Sequence, residues 1–341
     1  MLPFLTGILM LSDSMHDNSK KNYAGNDLAL LIPTKDRPEK MQNLLNSLAV
    51  QKVSCGRIIV IDGGRSIKDI VQDFSDRLPV EYYECKPPGQ IRQRNMGIAL
   101  IDERSSLVGS LDDDIVLEPQ AVEEMISFWN KCEPETAGVS FNIVNTPLEH
   151  RSWFKTLLGL SASKQGRVLR SGMTTANYPV TTHLRTQWLC GGATVWKRQI
   201  LEEFQHKEVN SRWAIGEDII FSYPIGKKFP LYVCADAKVR HEHIFDYTST
   251  SRHRFHGRTQ AMWLFYFVES NIDLSRISFL RVLFLRIIGK FLIGILTRKK
   301  EYIEFAIGQI EGVTKGLYAL MRGWDITVIL TEDSNAGIKK K

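Results

Sequence analysis

The sequence predicts an α/β fold with a mixed, mainly parallel β-sheet flanked by helices and a C-terminal helical extension. Two observations support this prediction: short apolar runs suited to buried strands alternate with segments of helical periodicity, and 43% of the 341 residues are hydrophobic. A chain of this length and composition can bury a full core.

Four strands are predicted where apolar residues follow one another, at residues 28–32, 57–61, 80–83 and 107–111. The intervening segments repeat their apolar residues at helical spacing, which predicts helices around residues 41–48, 67–74, 92–101 and 119–129. Strands separated by helices favour parallel pairing with right-handed crossovers.

We expect four regions along the chain: a disordered lead-in at residues 1–26, an α/β domain at 27–250, a basic helical extension at 251–333 and a disordered tail at 334–341. Residues 1–11 are mostly apolar, but they lack the features of a signal peptide and are too short to span a bilayer. Five scattered cysteines without metal-binding spacing are typical of a reducing compartment, so we expect a cytoplasmic protein.

The positive charge is concentrated in one segment. The whole chain carries +6, whereas residues 251–300 alone carry ten Lys or Arg and two acidic residues, a net +8. This distribution favours a polyanionic partner. We expect an anionic membrane surface and no nucleic acid.

Three consecutive carboxylates, Asp112, Asp113 and Asp114, follow the fourth predicted strand. They repel one another, and a divalent cation such as Mg²⁺ or Mn²⁺ would offset that repulsion because it prefers carboxylate oxygens. Residues two apart share a face of an extended chain, so we expect Asp112 and Asp114 to bind the cation and Asp113 to be solvated. A solvated acidic turn is the alternative.

Polar residues also follow the first two predicted strands: Thr34 and Arg37 after the first, and Asp62 after the second. Ligands of open α/β sheets bind beyond the carboxyl ends of such strands. The sequence has no glycine-rich phosphate loop, so a metal held by the aspartates would neutralise a diphosphate instead.

Residues 28 to about 245 resemble a family 2 glycosyltransferase with the GT-A fold. The resemblance rests on six motifs in the order of the family, at residues 32–37, 60–64, 89–97, 111–114, 191–201 and 213–218. It implies that Asp62 binds the base of a nucleotide. The other implied nucleotide-binding residues are Pro33, Thr34, Arg37, Arg94 and Asp112.

The resemblance also implies a metal site and a catalytic base. The metal ligands would be Asp112, Asp114 and a histidine after the last strand. His241 has the usual spacing, although His243 shares its face and stays an alternative. Asp218 would be the general base and Glu217 would hold it or the acceptor. Without the resemblance, these two acids would read as an ordinary helix start.

The C-terminal segment allows several interpretations. Residues 251–258 predict a basic turn that clamps anions through Arg254 or Arg258, or a plain surface loop. Residues 277–296 predict a helix whose basic residues face anionic lipid headgroups, or one that packs on the core or on a second subunit as a homo-oligomer. Residues 301–321 predict another helix, with glycines that permit close packing.

We therefore predict a metal-dependent, inverting hexosyltransferase. It would move a sugar from a nucleotide-diphosphate donor to a hydroxyl acceptor, such as a lipid-linked glycan in cell-surface polysaccharide or glycolipid assembly. The alternatives are a non-catalytic nucleotide-sugar-binding protein and a sugar-1-phosphate nucleotidyltransferase. The latter is disfavoured because residues 33–38 contain no glycine.

Overall fold

A nine-stranded mixed sheet organises the protein. The computed structural model describes residues 22–149, 152–208, 215–242 and 250–330. The strands lie in the order β3-β2-β1-β4-β8-β6-β9-β5, and β7 pairs with β9. The predicted disordered regions fall almost wholly outside these residues, as does His243.

The first half of the sheet is parallel and follows the predicted alternation of strands and helices. Its elements are β1 (Leu28–Thr34), α1 (Pro38–Ala49), β2 (Arg57–Asp62), α2 (Lys68–Gln72), β3 (Val80–Glu84), α3 (Gln90–Ala99) and β4 (Leu107–Leu111). All seven residues of β1 are buried, because the strand lies between β2 and β4 and is covered on both faces. The four predicted strands are confirmed.

The second half adds the antiparallel pairs. Its elements are β5 (Ile115–Leu117), α4 (Ala121–Lys131), β6 (Gly138–Ile143), α5 (Trp153–Leu157), β7 (Leu184–Thr186), β8 (Ala193–Lys197), α6 (Arg198–Glu203), α7 (Glu217–Gly226) and β9 (Leu231–His241). β8 runs antiparallel to β4 and β6, and β9 runs parallel to β6 but antiparallel to β5. The predicted mixed α/β sheet flanked by helices is confirmed.

Three long helices follow the sheet: α8 (Thr250–Glu269), α9 (Arg276–Thr297) and α10 (Lys300–Met321). The predicted close packing through glycines is present, because a Cβ at Gly308 would lie 2.0 Å from the carbonyl oxygen of Arg254. A Cβ at Gly312 would likewise lie 2.4 Å from the carbonyl oxygen of Arg258. None of the helices within the described ranges is long and apolar enough to cross a bilayer.

The predicted turn at residues 251–258 is wrong, because this segment forms the first turns of α8. Arg254 donates through Nε to Glu311 of α10 at 2.9 Å, and its backbone packs against Gly308. These contacts between distant parts of the chain stabilise a helix in a segment whose local pattern shows no apolar periodicity.

Candidate active site

A cavity of about 200 Å³ lies beyond the ends of β4, β5 and β9. The side chains that line it include Arg94, Asp112, Tyr178, Asp218 and His241. They come from α3, from the segment after β4, from the loop between α5 and β7, from the start of α7 and from the end of β9. The fold therefore gathers residues distant in sequence around one space.

Asp112, Asp114 and His241 form a group that could hold a metal ion. Each offers one ligand atom, and these atoms lie within 4.8 Å of one another. The pairing of β5 with β9 explains the arrangement, because Ile115 stands opposite His241 and so places the imidazole beside Asp114. The His241 Nε2 atom lies 3.0 Å from Oδ1 of Asp114, and this hydrogen bond raises the pKa of His241.

The chemistry of this group fits a divalent cation. Two carboxylate oxygens and one imidazole nitrogen are a donor set that Mn²⁺ accepts well, and the carboxylates alone would suit Mg²⁺. Asp114 is almost fully buried, whereas Asp112 and His241 remain partly open to solvent. A cation could therefore enter from the cavity side.

The prediction of a solvated Asp113 is wrong. The side chain is buried, and its Oδ2 atom accepts a hydrogen bond of 2.7 Å from the Thr34 hydroxyl. Its Oδ1 atom accepts one of 2.9 Å from the Arg37 guanidinium, and burial raises its pKa despite these bonds. The chain leaves the extended conformation after Leu111, so the alternation of faces in a strand no longer applies.

Arg94 connects the candidate metal site to the start of α7. Its side chain is 2% exposed; the guanidinium donates to Oδ1 of Asp112 at 2.9 Å and forms an ion pair with Glu217. The backbone of Gly191 lies against it, since a Cβ there would be 2.9 Å from the guanidinium. The structure thus places Arg94 between two carboxylates, whereas the sequence suggested a position along a nucleoside.

Gly192 leaves space for the Asp112 carboxylate, a role that its place in a sequence motif does not indicate. A Cβ at this position would lie 2.0 Å from Oδ2 of Asp112, so only glycine leaves the space that the carboxylate occupies. The backbone N–H of Asp112 donates to the Gly192 carbonyl at 2.8 Å and continues the pairing of β4 with β8. The only sequence pattern that indicates this close approach is the pair of adjacent glycines, Gly191 and Gly192, before β8.

Asp218 lies at the start of α7 and faces the cavity. Burial raises the pKa of its carboxyl group, and its Oδ1 atom accepts a hydrogen bond of 2.8 Å from the backbone N–H of Ile219. The helix begins after Gly216, whose φ of 84° favours glycine. A carboxylate at a helix N-terminus with a raised pKa has the properties of a general base.

His206 is a neighbour of this group that sequence patterns did not indicate. Its ring stacks on Phe221 with a centroid distance of 3.8 Å, and its Nδ1 atom lies 3.4 Å from Oε2 of Glu217. Burial, reinforced by the charge of Arg94, lowers the pKa of His206 to about 3. The neutral imidazole lies beside the Glu217 carboxylate without a hydrogen bond to its Oε2 atom, so the ion pair with Arg94 is the contact that holds Glu217 next to Asp218.

The remaining predicted residues lie at the neighbouring ends of β1 and β2, outside the lining of this cavity. Thr34 stands opposite Asp62 in the parallel register, and Pro33 opposite Ile61. The buried Asp62 accepts hydrogen bonds from the Gly64 N–H at 2.7 Å and the Tyr82 hydroxyl at 2.8 Å.

Arg37 is about half exposed and is the predicted nucleotide-binding residue that joins the two regions. It lies 2.9 Å from Asp113 and 3.3 Å from Asp114. Gln93, which the sequence pattern placed only within a motif, holds the ends of β1 and β2 together, because its amide donates to the carbonyls of Thr34 and Ile61.

The profile described as Glycosyl transferase family 2 matches residues 29–204, just over half of the chain. The chain belongs to this family. It is therefore a glycosyltransferase, as the motifs predicted. A search of curated proteins gave no match.

Solved structures of glycosyltransferases resemble this one. The S. aureus TarS fragment 1–349 superposes with a TM-score of 0.52 at 14% identity, covering 92% of this chain and 93% of that one. The same fragment in complex with UDP gives 0.48 at 14% identity, with 87% and 91% covered. The mannosyltransferase PcManGT from Pyrobaculum calidifontis, in complex with GDP-Man and Mn²⁺, gives 0.47 at 12% identity, with 92% and 80% covered. The predicted GT-A-like fold is confirmed.

Proposed function

We propose that this glycosyltransferase moves a hexose from a nucleotide-diphosphate donor to a hydroxyl acceptor, with a divalent cation and with inversion at the anomeric carbon. The observation that carries the proposal is the convergence of Asp112, Asp114 and His241 with Asp218 around one cavity. Displacement of a diphosphate from a sugar requires ligands for a cation that offsets the charge of the leaving group, and a carboxylate base that accepts the proton of the acceptor hydroxyl.

The donor would lie across the ends of β1, β2 and β4. Asp112, Asp114 and His241 would hold Mg²⁺ or Mn²⁺, which when bound supplies positive charge to the leaving diphosphate. Thr34, Pro33 and Asp62 provide the neighbouring surface for the nucleoside. Arg37 lies between the two regions, and its half-exposed guanidinium would contact a phosphate oxygen of the donor.

The acceptor hydroxyl would be deprotonated by Asp218. Its raised pKa makes the carboxylate a better proton acceptor than an ordinary aspartate. Arg94 holds Glu217 through an ion pair, which limits the positions open to its neighbour Asp218. Attack from the side opposite the leaving diphosphate inverts the anomeric carbon.

We propose a cytoplasmic enzyme that acts on a lipid-linked glycan in polysaccharide or glycolipid assembly. In this assignment residues 27–250 form the catalytic domain, and the helices after residue 250 form an extension beside it. Tyr178 supports an acceptor role for the loop before β7, because it brings an aromatic surface into the cavity where a sugar ring can stack.

The assigned base is tested with Asp218→Asn, which keeps the size of the side chain but removes its proton affinity. We expect release of nucleotide diphosphate from UDP- or GDP-sugars to fall about 10²–10⁴-fold, while binding of the donor changes little. Asp76→Asn, an exposed carboxylate outside the cavity, is the matched control. Full turnover by Asp218→Asn would reject the assignment, and donor binding without any turnover by the wild type would indicate a non-catalytic binding protein.

A further inference from the structure

The outer face of α9 carries a row of exposed apolar side chains. Their exposed fractions range from 40% to 82%, and their spacing of three, four or seven residues puts them on one side of the helix. We call this row the apolar stripe; its members are Ile277, Phe284, Ile288, Leu292 and Ile295. A contiguous apolar surface that is exposed to solvent indicates an interaction site.

The basic residues inside α9 do not point where the sequence suggested. The Arg286 guanidinium donates to the sulfur of Met173 at 2.7 Å, and burial lowers its pKa. The Lys290 ammonium lies 4.8 Å from the ring centroid of Tyr302. Both side chains are therefore directed into the protein, which leaves the apolar residues, rather than the charges, on the outside.

A second exposed apolar segment borders the stripe. Trp153, Phe154 and Leu157 of α5 are 78%, 53% and 70% exposed. The chain directly after α5 touches α9, since a Cβ at Gly159 would lie 2.8 Å from the guanidinium of Arg281. Arg281 belongs to the same helix face as the stripe, so α5 and the stripe form one surface.

The charged residues within α5 and α9 are all basic. Residues 150–201 and 274–300 contain no Asp or Glu. Exposed basic residues occur within the surface and at its end, at Lys155, Arg281, Arg298, Lys299 and Lys300. An isologous contact with a second copy would bring these like charges together, whereas the headgroups of anionic lipids would neutralise them.

We propose that α5 and the apolar stripe dock onto an anionic lipid surface, with α9 lying in the plane of the membrane. The apolar side chains would enter the boundary between headgroups and acyl chains, and the basic residues would contact lipid phosphates. Docking in this plane agrees with the sequence of α9, because Arg281, Arg286 and Lys290 interrupt its apolar residues and disfavour a span. The surface stands on its own geometry and does not depend on the reaction proposed above.

Flotation of the purified full chain with lipid vesicles tests the proposal. The vesicles are phosphatidylcholine alone, or phosphatidylcholine with about one third phosphatidylglycerol, at low and high salt. We expect binding to the anionic vesicles that weakens as salt is raised. Phe284→Gln combined with Leu292→Gln should weaken it at least about tenfold, because two apolar side chains leave the lipid boundary.

Two further variants sharpen the result. Changing Arg298, Lys299 and Lys300 together to Gln should reduce the preference for anionic vesicles, since basic residues near the membrane surface attract the lipid phosphates. Val50 at the end of α1 is an apolar residue of similar exposure outside this surface, so the variant Val50→Gln should bind vesicles like the wild type. Unchanged thermal midpoints and donor turnover in all variants would show that the fold and the active site are intact.

The proposal would be overturned if the protein did not bind the vesicles, or if it bound neutral and anionic vesicles equally. It would also be overturned if the changes at Phe284 and Leu292 left binding unaltered. A dimer in lipid-free solution that the same two changes dissociate would overturn it in favour of a second copy as the occupant.

Discussion

Arg94 is the residue through which the carboxylate proposed to bind a metal, Asp112, contacts the acid proposed to support the base, Glu217. Its guanidinium reaches Asp112 and Glu217 at once, and its surroundings are almost closed to water. A lysine at this position has one ammonium group and cannot satisfy both carboxylates in the same geometry. One of the two would then lack its partner in a site of low polarity, which is costly.

We therefore expect Arg94→Lys to lower kcat about 10–100-fold, and Arg94→Met to unfold more easily by about 3–5 kcal/mol because two carboxylates lose their counter-ion. Steady-state kinetics and chemical denaturation measure these effects. Arg92→Lys, on the same helix but paired with Glu208 at the surface, is the control and should behave like the wild type. Normal kcat in Arg94→Lys would show that the bridge does not position the site.

His206 gives the stability of the protein a defined pH dependence. Its pKa is about 3 in the folded protein against 6.5 for the free side chain. Below pH 6.5 the unfolded chain therefore binds a proton that the folded chain refuses, and stability falls by about 1.4 kcal/mol per pH unit from this group. Above that pH the contribution vanishes, because neither state binds the proton.

Replacing His206 with Gln removes this term. We expect the free energy of unfolding of His206→Gln to fall less steeply between pH 6.5 and 4 than that of the wild type. The difference in slope should be up to about 1.4 kcal/mol per pH unit, which corresponds to one bound proton. His183→Gln, an exposed histidine, is the control. Parallel pH profiles of wild type and His206→Gln would contradict the buried, neutral imidazole.

At the scale of elements, what could be predicted from the sequence follows from the range of the contacts involved. Local apolar runs predict buried parallel strands such as β1 and β4. The carboxyl ends of these strands place Thr34 and Asp112 at the same edge of the sheet. The burial of Asp113 and the position of Arg94 depend on partners far along the chain. Local periodicity contains no information on such pairs.

The packing of α10 on α8 shows the same limit and can be tested. Small residues predict close approach, but the first turns of the partner helix, residues 251–258, are predicted as a basic turn or a surface loop. Gly312→Ala should destabilise the protein by about 1–3 kcal/mol, because its Cβ would meet the carbonyl of Arg258. Gly289→Ala has open space around it and should be neutral or stabilising by up to about 1 kcal/mol. Equal denaturation midpoints for both would refute this packing.

At the scale of the whole molecule, the candidate metal site joins the two halves of the sheet. Asp112 and Asp114 follow β4 in the parallel half, and His241 ends β9 in the mixed half. A cation bound by all three would therefore stabilise contacts between halves that are joined mainly by the pairing of β4 with β8. The unfolded chain cannot present the three ligands together, so binding favours the native state.

We expect Mn²⁺ with the correct nucleotide sugar to raise the Tm of the protein, since a ligand at about 100 times its Kd adds about 2.7 kcal/mol to the free energy of unfolding. A domain of this size responds with about 2–4 °C per kcal/mol. Thermal unfolding with UDP- and GDP-sugars, with and without Mn²⁺, measures the effect. Asp114→Asn should lose the part that requires Mn²⁺, whereas Asp76→Asn should keep it. A Mn²⁺-dependent increase that survives in Asp114→Asn would mean that the cation binds elsewhere, because Asp114 has the most buried of the three ligand groups.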